Sequence, residues 1–166
     1  MSCAGLSSSL EDYLETIYRL IDEVQVARAR DIARNMGVSM SSVTGALKLL
    51  SRRELVNYVP YELVTLTDAG RALAEDIAKR HDALKRFFVT VLAVDEELAE
   101  DTACRMEHCV PTDIVNRLLR FVDYVQACPN AQTAWHQDTG YLCMRSGTSD
   151  GCDVCRQKEE AASAQD

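Results

Sequence analysis

Three side chains of the kinds that bind transition metals stand close together in the run Cys-Arg-Met-Glu-His at residues 104–108. On an α-helix, positions i, i+3 and i+4 share one face, so this spacing predicts that Cys104, Glu107 and His108 converge. Thiolate, carboxylate and imidazole are soft, hard and borderline ligands, a mixture that suits a transition-metal ion. The segment is therefore a candidate metal site.

Two further groups can complete such a site. Asp12 and Glu15 are three residues apart in an apolar-periodic segment near the N-terminus, and His81 lies in a long helical segment. Carboxylates at this spacing on a surface helix are usually only solvated, and a lone helical histidine is usually structural. Spacing alone therefore leaves a joint metal site and this plain structural interpretation both open.

The C-terminal cysteines form a second candidate constellation: Cys128, Cys143, Cys152 and Cys155, the last two in CxxC spacing. Four thiols of this kind can bind Zn2+ or an Fe–S cluster, and a redox dithiol is the alternative. The chain has seven cysteines and an N-terminus without a signal-peptide pattern. These features predict a reducing, cytoplasmic location. Cys109 is expected in the core.

Apolar spacing predicts three helices in the first part of the chain, at about 9–23, 28–36 and 40–53. Ser8 and Glu11 fit a capping box for the first helix, and Gly37 is a natural end for the second. Two runs rich in β-formers, 55–59 and 63–66, then predict a hairpin. Three helices followed by a hairpin indicate a winged helix-turn-helix, a DNA-binding module.

The second part of the chain is predicted to be helical as well. Thr67 is expected to cap a helix over about 68–92, Asp95 a helix that ends near Cys109, and Pro111 to begin one that ends near Cys128. The fold class is thus mainly α, with a helical dimerisation domain after the winged helix and a cysteine-containing tail. The expected boundaries are 1–70, 71–127 and 128–166, with the end of the tail disordered.

The net charge of −8 conceals a basic stretch between residues 26 and 60. Because salt screens charges beyond roughly 10 Å, local charge matters more for DNA binding than the total. The predicted DNA contacts are Arg28, Arg30, Ser39, Ser41, Ser42, Thr44, Lys48, Arg52 and Arg53. Alternatively, the arginines belong to an ordinary solvent-exposed surface and do not contact DNA. The third helix is the expected recognition helix, and its first turn has no Arg, Asn or Gln that could bond to a base through two hydrogen bonds. DNA shape is therefore expected to carry part of the sequence specificity.

Several functional classes are disfavoured. The chain has no apolar stretch long enough to span a membrane. It also lacks the HExxH motif, a glycine-rich phosphate loop and a serine nucleophile elbow, so an enzyme, in particular a metallohydrolase, is not expected.

Four collinear motifs over residues 8–126 resemble the diphtheria-toxin-repressor family of iron- and manganese-dependent regulators: Glu-Asp-Tyr-Leu-Glu-Thr-Ile-Tyr at 11–18, Ser-Ser-Val-Thr at 41–44, Arg80-His81, and the 104–108 run. The resemblance implies a homodimer that binds a palindromic double-stranded DNA operator when metal is bound. It also implies one ligand set: Asp12, Glu15, His81, Cys104, Glu107 and His108.

Within that family the implied set is a hybrid. Asp12 and Glu15 are similar to the manganese-responsive branch, and Cys104 to the iron-responsive branch. The softer thiolate favours Fe2+ over Mn2+. Lys85 stands where the iron branch has a carboxylate of a second site, which argues against a copy of that site. The sequence thus predicts a metal-dependent repressor of metal-homeostasis genes. The alternative is a winged-helix regulator that senses redox or Fe–S status through the C-terminal cysteines.

Overall fold

A computed structural model describes residues 5–127, 133–136 and 140–143. The chain divides into two compact units, residues 1–81 with 107–109, and residues 82–106 with 110–166. The elements are α1 (Ser8–Val24), α2 (Ala29–Met36), α3 (Met40–Arg52), β1 (Val56–Asn57), β2 (Thr65–Leu66), α4 (Asp68–Thr90), α5 (Glu96–Met106), α6 (Thr112–Ala127), β3 (Thr133–His136) and β4 (Gly140–Cys143). None of the described helices is both long and apolar enough to cross a membrane.

The order of elements in the first unit confirms the predicted winged helix-turn-helix. The apolar faces of α1, α2 and α3 bury Leu14, Ile17, Ile32, Leu47 and Leu50 completely. Gly37 ends α2 in the left-handed conformation, with φ of 65°, which glycine adopts without steric cost.

The predicted capping box at Ser8 is wrong. Ser7 is the N-cap of α1, and its side chain accepts the backbone N–H of Leu10. Glu11 does not reach back to the helix start as a capping residue, because its side chain is fully buried and hydrogen-bonded to His108. A tertiary contact has therefore overridden the local motif.

The wing is an antiparallel pair in which Val56 faces Leu66 and Asn57 faces Thr65. Its strands are shorter than predicted. A turn that begins at Val59 separates them, closed by the Glu62 N–H to the Val59 carbonyl at 3.1 Å. After this turn, the Val64 N–H donates to the Ala27 carbonyl at 2.8 Å, so Val64 bridges to the segment before α2 rather than extending the hairpin.

Close backbone packing joins the wing to the start of α4. Thr67 caps α4 as predicted, since its Oγ1 accepts the Gly70 N–H at 3.0 Å, and the same hydroxyl donates to the Glu54 carbonyl at 2.7 Å. This brings Gly70 against the backbone of Leu55, and a Cβ atom at Gly70 would overlap the Leu55 carbonyl oxygen. Only glycine fits here without a backbone shift.

We therefore expect Gly70→Ala to lower the free energy of unfolding by about 1–3 kcal/mol, the usual cost of overpacking. The measurement is urea denaturation followed by circular dichroism. Gly45→Ala is the matched control: a Cβ there meets nothing within 4 Å. Since alanine favours helix, that variant should gain up to about 1 kcal/mol. Equal stability of the two variants would contradict the proposed close packing.

The second unit has a small core of Leu84, Phe88, Ala99 and Ala103. Asp95 caps α5 as predicted, with its Oδ1 accepting the Leu98 N–H at 2.9 Å. Lys85 forms an ion pair with Glu100 at 2.8 Å, which raises the pKa of the lysine. A cation thus occupies the position where the resemblance placed a second-site carboxylate.

Three predictions about the second half need correction. α5 ends at Met106, three residues earlier than expected, and Cys109 is exposed rather than in the core. In the tail, β3 and β4 form an antiparallel pair, with Thr133 facing Cys143 and His136 facing Gly140. The sequence analysis missed it because strands of four residues are too short to show a clear period.

Candidate metal centre and nucleic-acid interface

The buried pair Glu107 and His108 lies in the turn after α5, not on the helix itself. In a continuing helix, the N–H of residue 111 would bond to the Glu107 carbonyl, but Pro111 has no N–H. Arg80 supplies the missing donor: its Nη1 lies 2.8 Å from the Glu107 carbonyl. The Arg80 guanidinium is itself buried and is held by the Asp76 carboxylate at 3.2 Å. Glu107 and His108 are therefore positioned by a turn that Arg80 of α4 holds, and not by one shared helical face as predicted.

The first ligand group consists of Asp12, Glu107 and His108, each with one ligand atom within 4.8 Å of the others. His108 Nε2 lies 2.8 Å from Asp12 Oδ1 and 3.5 Å from Glu107 Oε1. Both oxygens are buried, and neither has a hydrogen-bond partner with acceptable geometry among the described residues. Buried polar atoms are normally satisfied, so two such oxygens around one imidazole nitrogen make this group a candidate cation site.

The second group consists of Glu15, His81 and Glu107, and all three side chains are buried. Glu107 Oε2 lies 2.7 Å from His81 Nδ1, and Arg19 binds Glu15 Oε1 at 2.8 Å. Glu107 belongs to both groups, with one oxygen directed to each histidine. Its carboxylate therefore connects the two.

Burial has the largest effect on the pKa values of these groups. Burial raises the pKa of Asp12 and the pKa of Glu107, although the neighbouring histidines partly oppose it. Burial alone lowers the pKa of His108, but the hydrogen bond to Glu11 and the charges of Glu107 and Asp12 together raise it above its ordinary value. The carboxyl groups thus resist carrying negative charge in a buried position, and the imidazole favours its positive form, so a cation is favoured among these groups.

The residues present fit a divalent first-row transition metal. Carboxylates and imidazoles are ligands that Mn2+ and Fe2+ accept, and the unsatisfied Asp12 and Glu107 oxygens face the same nitrogen. All of the predicted ligands except Cys104 belong to one group or the other. Cys104 is exposed, lies in the second unit and belongs to neither group.

Sequence reasoning missed Glu11 as a site residue. Its Oε2 lies 2.7 Å from His108 Nδ1, and its side chain is fully buried. The available signal was its i, i+4 spacing to Glu15, which places both carboxylates on one face of α1. Of the candidate tail cysteines, Cys143 lies in β4, whereas Cys128, Cys152 and Cys155 lie outside the described residues.

The candidate nucleic-acid interface includes a cleft of about 920 Å³ between α3, the start of α2 and the wing. Its lining is basic and aromatic, and includes Arg28, Arg30, Thr44, Lys48, Tyr58 and Tyr61. Thr44 and Lys48 are one helical turn apart on α3. Tyr61, at the tip of the wing, is fully exposed.

The remaining predicted DNA residues lie on α3 or at its ends. Ser39 caps α3 and bonds to the hydroxyls of Ser41 and Ser42 at 2.8 and 2.9 Å. Arg52 is exposed on the last turn, and Arg53 is exposed although its Nη1 donates to the Gly5 carbonyl at 2.9 Å. Most of these side chains are solvent-facing, as a DNA-contacting surface requires.

Comparisons with known proteins find a DNA binding domain and a metal binding domain in this chain. Residues 5–64 match the model of the iron dependent repressor N-terminal DNA binding domain, and residues 67–136 match that of the iron dependent repressor metal binding and dimerisation domain. An HTH-type transcriptional regulator of Methanocaldococcus jannaschii is 38% identical over 119 residues, which are 71% of this chain and 95% of that protein.

Solved structures of metal-dependent regulators have a similar fold. A manganese-dependent transcriptional repressor in complex with manganese superposes with a TM-score of 0.61 at 28% identity, covering 73% of this chain and 56% of that one. IdeR of T. acidophilum shares the fold, with a TM-score of 0.62 at 23% identity over 72% of this chain and 56% of that one. This chain thus spans little more than half the length of those two repressors. It belongs to the diphtheria-toxin-repressor family of metal-dependent, DNA-binding transcriptional repressors.

Proposed function

We propose that the protein represses metal-homeostasis genes when Fe2+ or Mn2+ binds to Asp12, Glu15, His81, Cys104, Glu107 and His108. The observation that carries this proposal is the convergence of two buried, unsatisfied carboxylate oxygens on His108 Nε2. The comparisons favour metal dependence over redox or Fe–S sensing by the tail.

Two elements of the first unit contribute four of the six proposed ligands. Asp12 and Glu15 lie on α1, which packs in the core of the winged helix, whereas Glu107 and His108 lie in the turn that Arg80 holds. A bound divalent cation would supply the positive charge that these converging acceptors require. Because the carboxylates would then no longer repel one another, α1 would be held against the turn. The rest of the winged helix, which packs on α1, would be held with it.

Metal binding can favour DNA binding only if the metal ion binds more tightly to the DNA-competent conformation than to the incompetent one. Moving an equilibrium from 1:99 to 99:1 would need roughly 5.5 kcal/mol of such a difference.

Glu107 contributes one oxygen to each ligand group, so its carboxylate is placed to serve two neighbouring ion positions in the same subunit.

For DNA we propose that the exposed face of α3 enters the major groove. Arg28, Arg30 and Lys48 of the basic cleft would hold the phosphate backbone. A homodimer with a two-fold axis would require operator half-sites in inverted orientation. We place the protein in the cytoplasm, and we keep the domain boundaries at residues 70 and 127 as proposals.

The experiment that tests this function is selection of duplexes from a random library by the reduced protein under argon, repeated with Mn2+, Fe2+, Co2+, Zn2+ and a chelator. We expect inverted repeats to be enriched with Fe2+ or Mn2+ and no enrichment with the chelator. Equal enrichment in the chelator arm would contradict metal-dependent repression.

The exposed thiol of Cys104 gives a further prediction, because thiolate is softer than carboxylate and favours later metals over Mn2+. Cys104→Glu should shift activation of DNA binding from Fe2+ toward Mn2+, whereas Cys104→Ala should weaken the response to every metal. Both are measured by titrating each ion into protein and selected duplex. Cys109→Ala, at a second exposed thiol, is the control. Activation curves identical to wild type for both Cys104 variants would remove Cys104 from the ligand set.

A further inference from the structure

We propose that Glu11, a residue of neither ligand group, is a positioning residue that orients the His108 imidazole toward the metal. The inference rests on the proposed function. Glu11 Oε2 lies 2.7 Å from His108 Nδ1, across 97 positions of sequence, and its side chain is fully buried. It is the residue next to Asp12, so one turn of α1 provides a ligand and the group that holds another ligand in place.

The hydrogen bond fixes which ring nitrogen carries the proton. An ionised carboxylate can only accept, so the proton of the bond belongs to Nδ1 of His108. In the neutral ring, Nε2 then keeps its lone pair, and Nε2 is the atom that faces Asp12 Oδ1 and Glu107 Oε1. Glu11 thereby selects the tautomer that can bind a metal ion at the point where the unsatisfied oxygens meet.

The bond also fixes the angle of the ring. A histidine side chain held only through Nε2 can rotate, which spreads the donor positions before a metal arrives. Anchoring Nδ1 to a helix that also carries Asp12 restricts this rotation. Such carboxylate partners of metal-binding histidines typically change metal affinity 10–100-fold when they are removed.

The test compares Glu11→Ala and Glu11→Gln with the wild type, using Zn2+ as a diamagnetic probe. Zn2+ affinity is measured by competition with a chromophoric chelator. The protonated ring nitrogen of His108 is read in the metal-free protein, at a pH where the ring is neutral, by NMR of histidine labelled with 15N. Glu23→Gln is the matched control, since Glu23 is an exposed carboxylate on the same helix. Thermal unfolding of each variant shows whether the fold is intact.

We expect Glu11→Ala to lower Zn2+ affinity by about 10–100-fold and, in the metal-free protein, to abolish the single Nδ1–H form of the neutral His108 ring. Glu11→Gln should lose less than about tenfold, because its amide oxygen still accepts the Nδ1 proton. Glu23→Gln should match the wild type in both measurements.

Two results overturn the inference. One is a Glu11→Ala variant with wild-type Zn2+ affinity and an unchanged His108 signal. The other is an affinity loss equal in Glu11→Ala and Glu11→Gln with the His108 tautomer unchanged in both, which would reduce Glu11 to a structural residue. A wild-type protein that binds no divalent metal would instead refute the proposed function itself, so the two failures are distinguishable.

Discussion

Replacing Glu107 with Gln is expected to weaken binding of Mn2+ and Fe2+ by at least about 100-fold, more than removal of a group outside the ligand set typically costs. Glu107 is the member that both ligand groups share, and its two oxygens face His81 and His108. Glutamine keeps the volume but replaces one oxygen with an amide nitrogen that cannot act as a ligand. One substitution thus affects both groups.

Metal affinity is measured by isothermal calorimetry under argon, and the selected duplex is then titrated with metal-loaded protein. Glu97→Gln, at an exposed position on α5, provides the control and should behave as the wild type. Glu107→Gln that binds Mn2+ within threefold of the wild-type affinity, at the same stoichiometry, would show that Glu107 is not a shared ligand.

The affinity of the metal-loaded dimer for a random-sequence duplex should fall by roughly 10,000-fold between about 50 and 200 mM salt. Arg28, Arg30, Lys48 and Arg52 are the exposed cations on or beside the cleft of each subunit. Each phosphate contact releases condensed counterions, so the logarithm of the affinity falls linearly with the logarithm of salt concentration.

Lys48→Ala removes two such contacts per dimer and should flatten that slope by about 2. Fluorescence anisotropy of a labelled duplex over a salt series gives the slope directly. Lys79→Ala is the control, because Lys79 is an exposed lysine on α4 outside the cleft. If Lys79→Ala flattened the slope as much as Lys48→Ala, the binding surface would have to lie elsewhere.

Much of the fold follows from local patterns. The 3.6-residue period of apolar residues predicted α1 to α4 with ends correct to about two residues, and Gly37, Thr67 and Asp95 marked termini that the structure confirms. These signals are local: a cap or a left-handed glycine depends on a few neighbouring residues, so a sequence can reveal it.

The parts of the site that sequence reasoning missed depend on distant partners. Pro111 correctly marked the beginning of α6. Because Pro111 has no N–H, it also leaves the Glu107 carbonyl without a helical donor, and only the structure shows that Arg80 supplies that donor. Glu11 was interpreted as a cap because its local spacing fits one, whereas His108 is 97 positions away. A contact of that separation leaves no periodic signal in a single sequence.

Cys104 illustrates the opposite case. The i, i+3, i+4 spacing placed it with Glu107 and His108 on the assumption that one helix carries all three, but α5 ends at Met106. Glu107 and His108 are buried and Cys104 is exposed, so the thiol does not share their environment. Its role as a ligand therefore remains a proposal, which the Cys104→Glu variant tests.

The central claim is that a divalent metal ion binds where Asp12, Glu107 and His108 converge. Anomalous diffraction at the manganese absorption edge, from crystals grown with Mn2+ under reducing conditions, tests it most directly. We predict a strong anomalous peak within coordination distance of Asp12 Oδ1, Glu107 Oε1 and His108 Nε2. A fully loaded crystal whose manganese peaks lie only at other side chains, such as the tail cysteines, would contradict the claim.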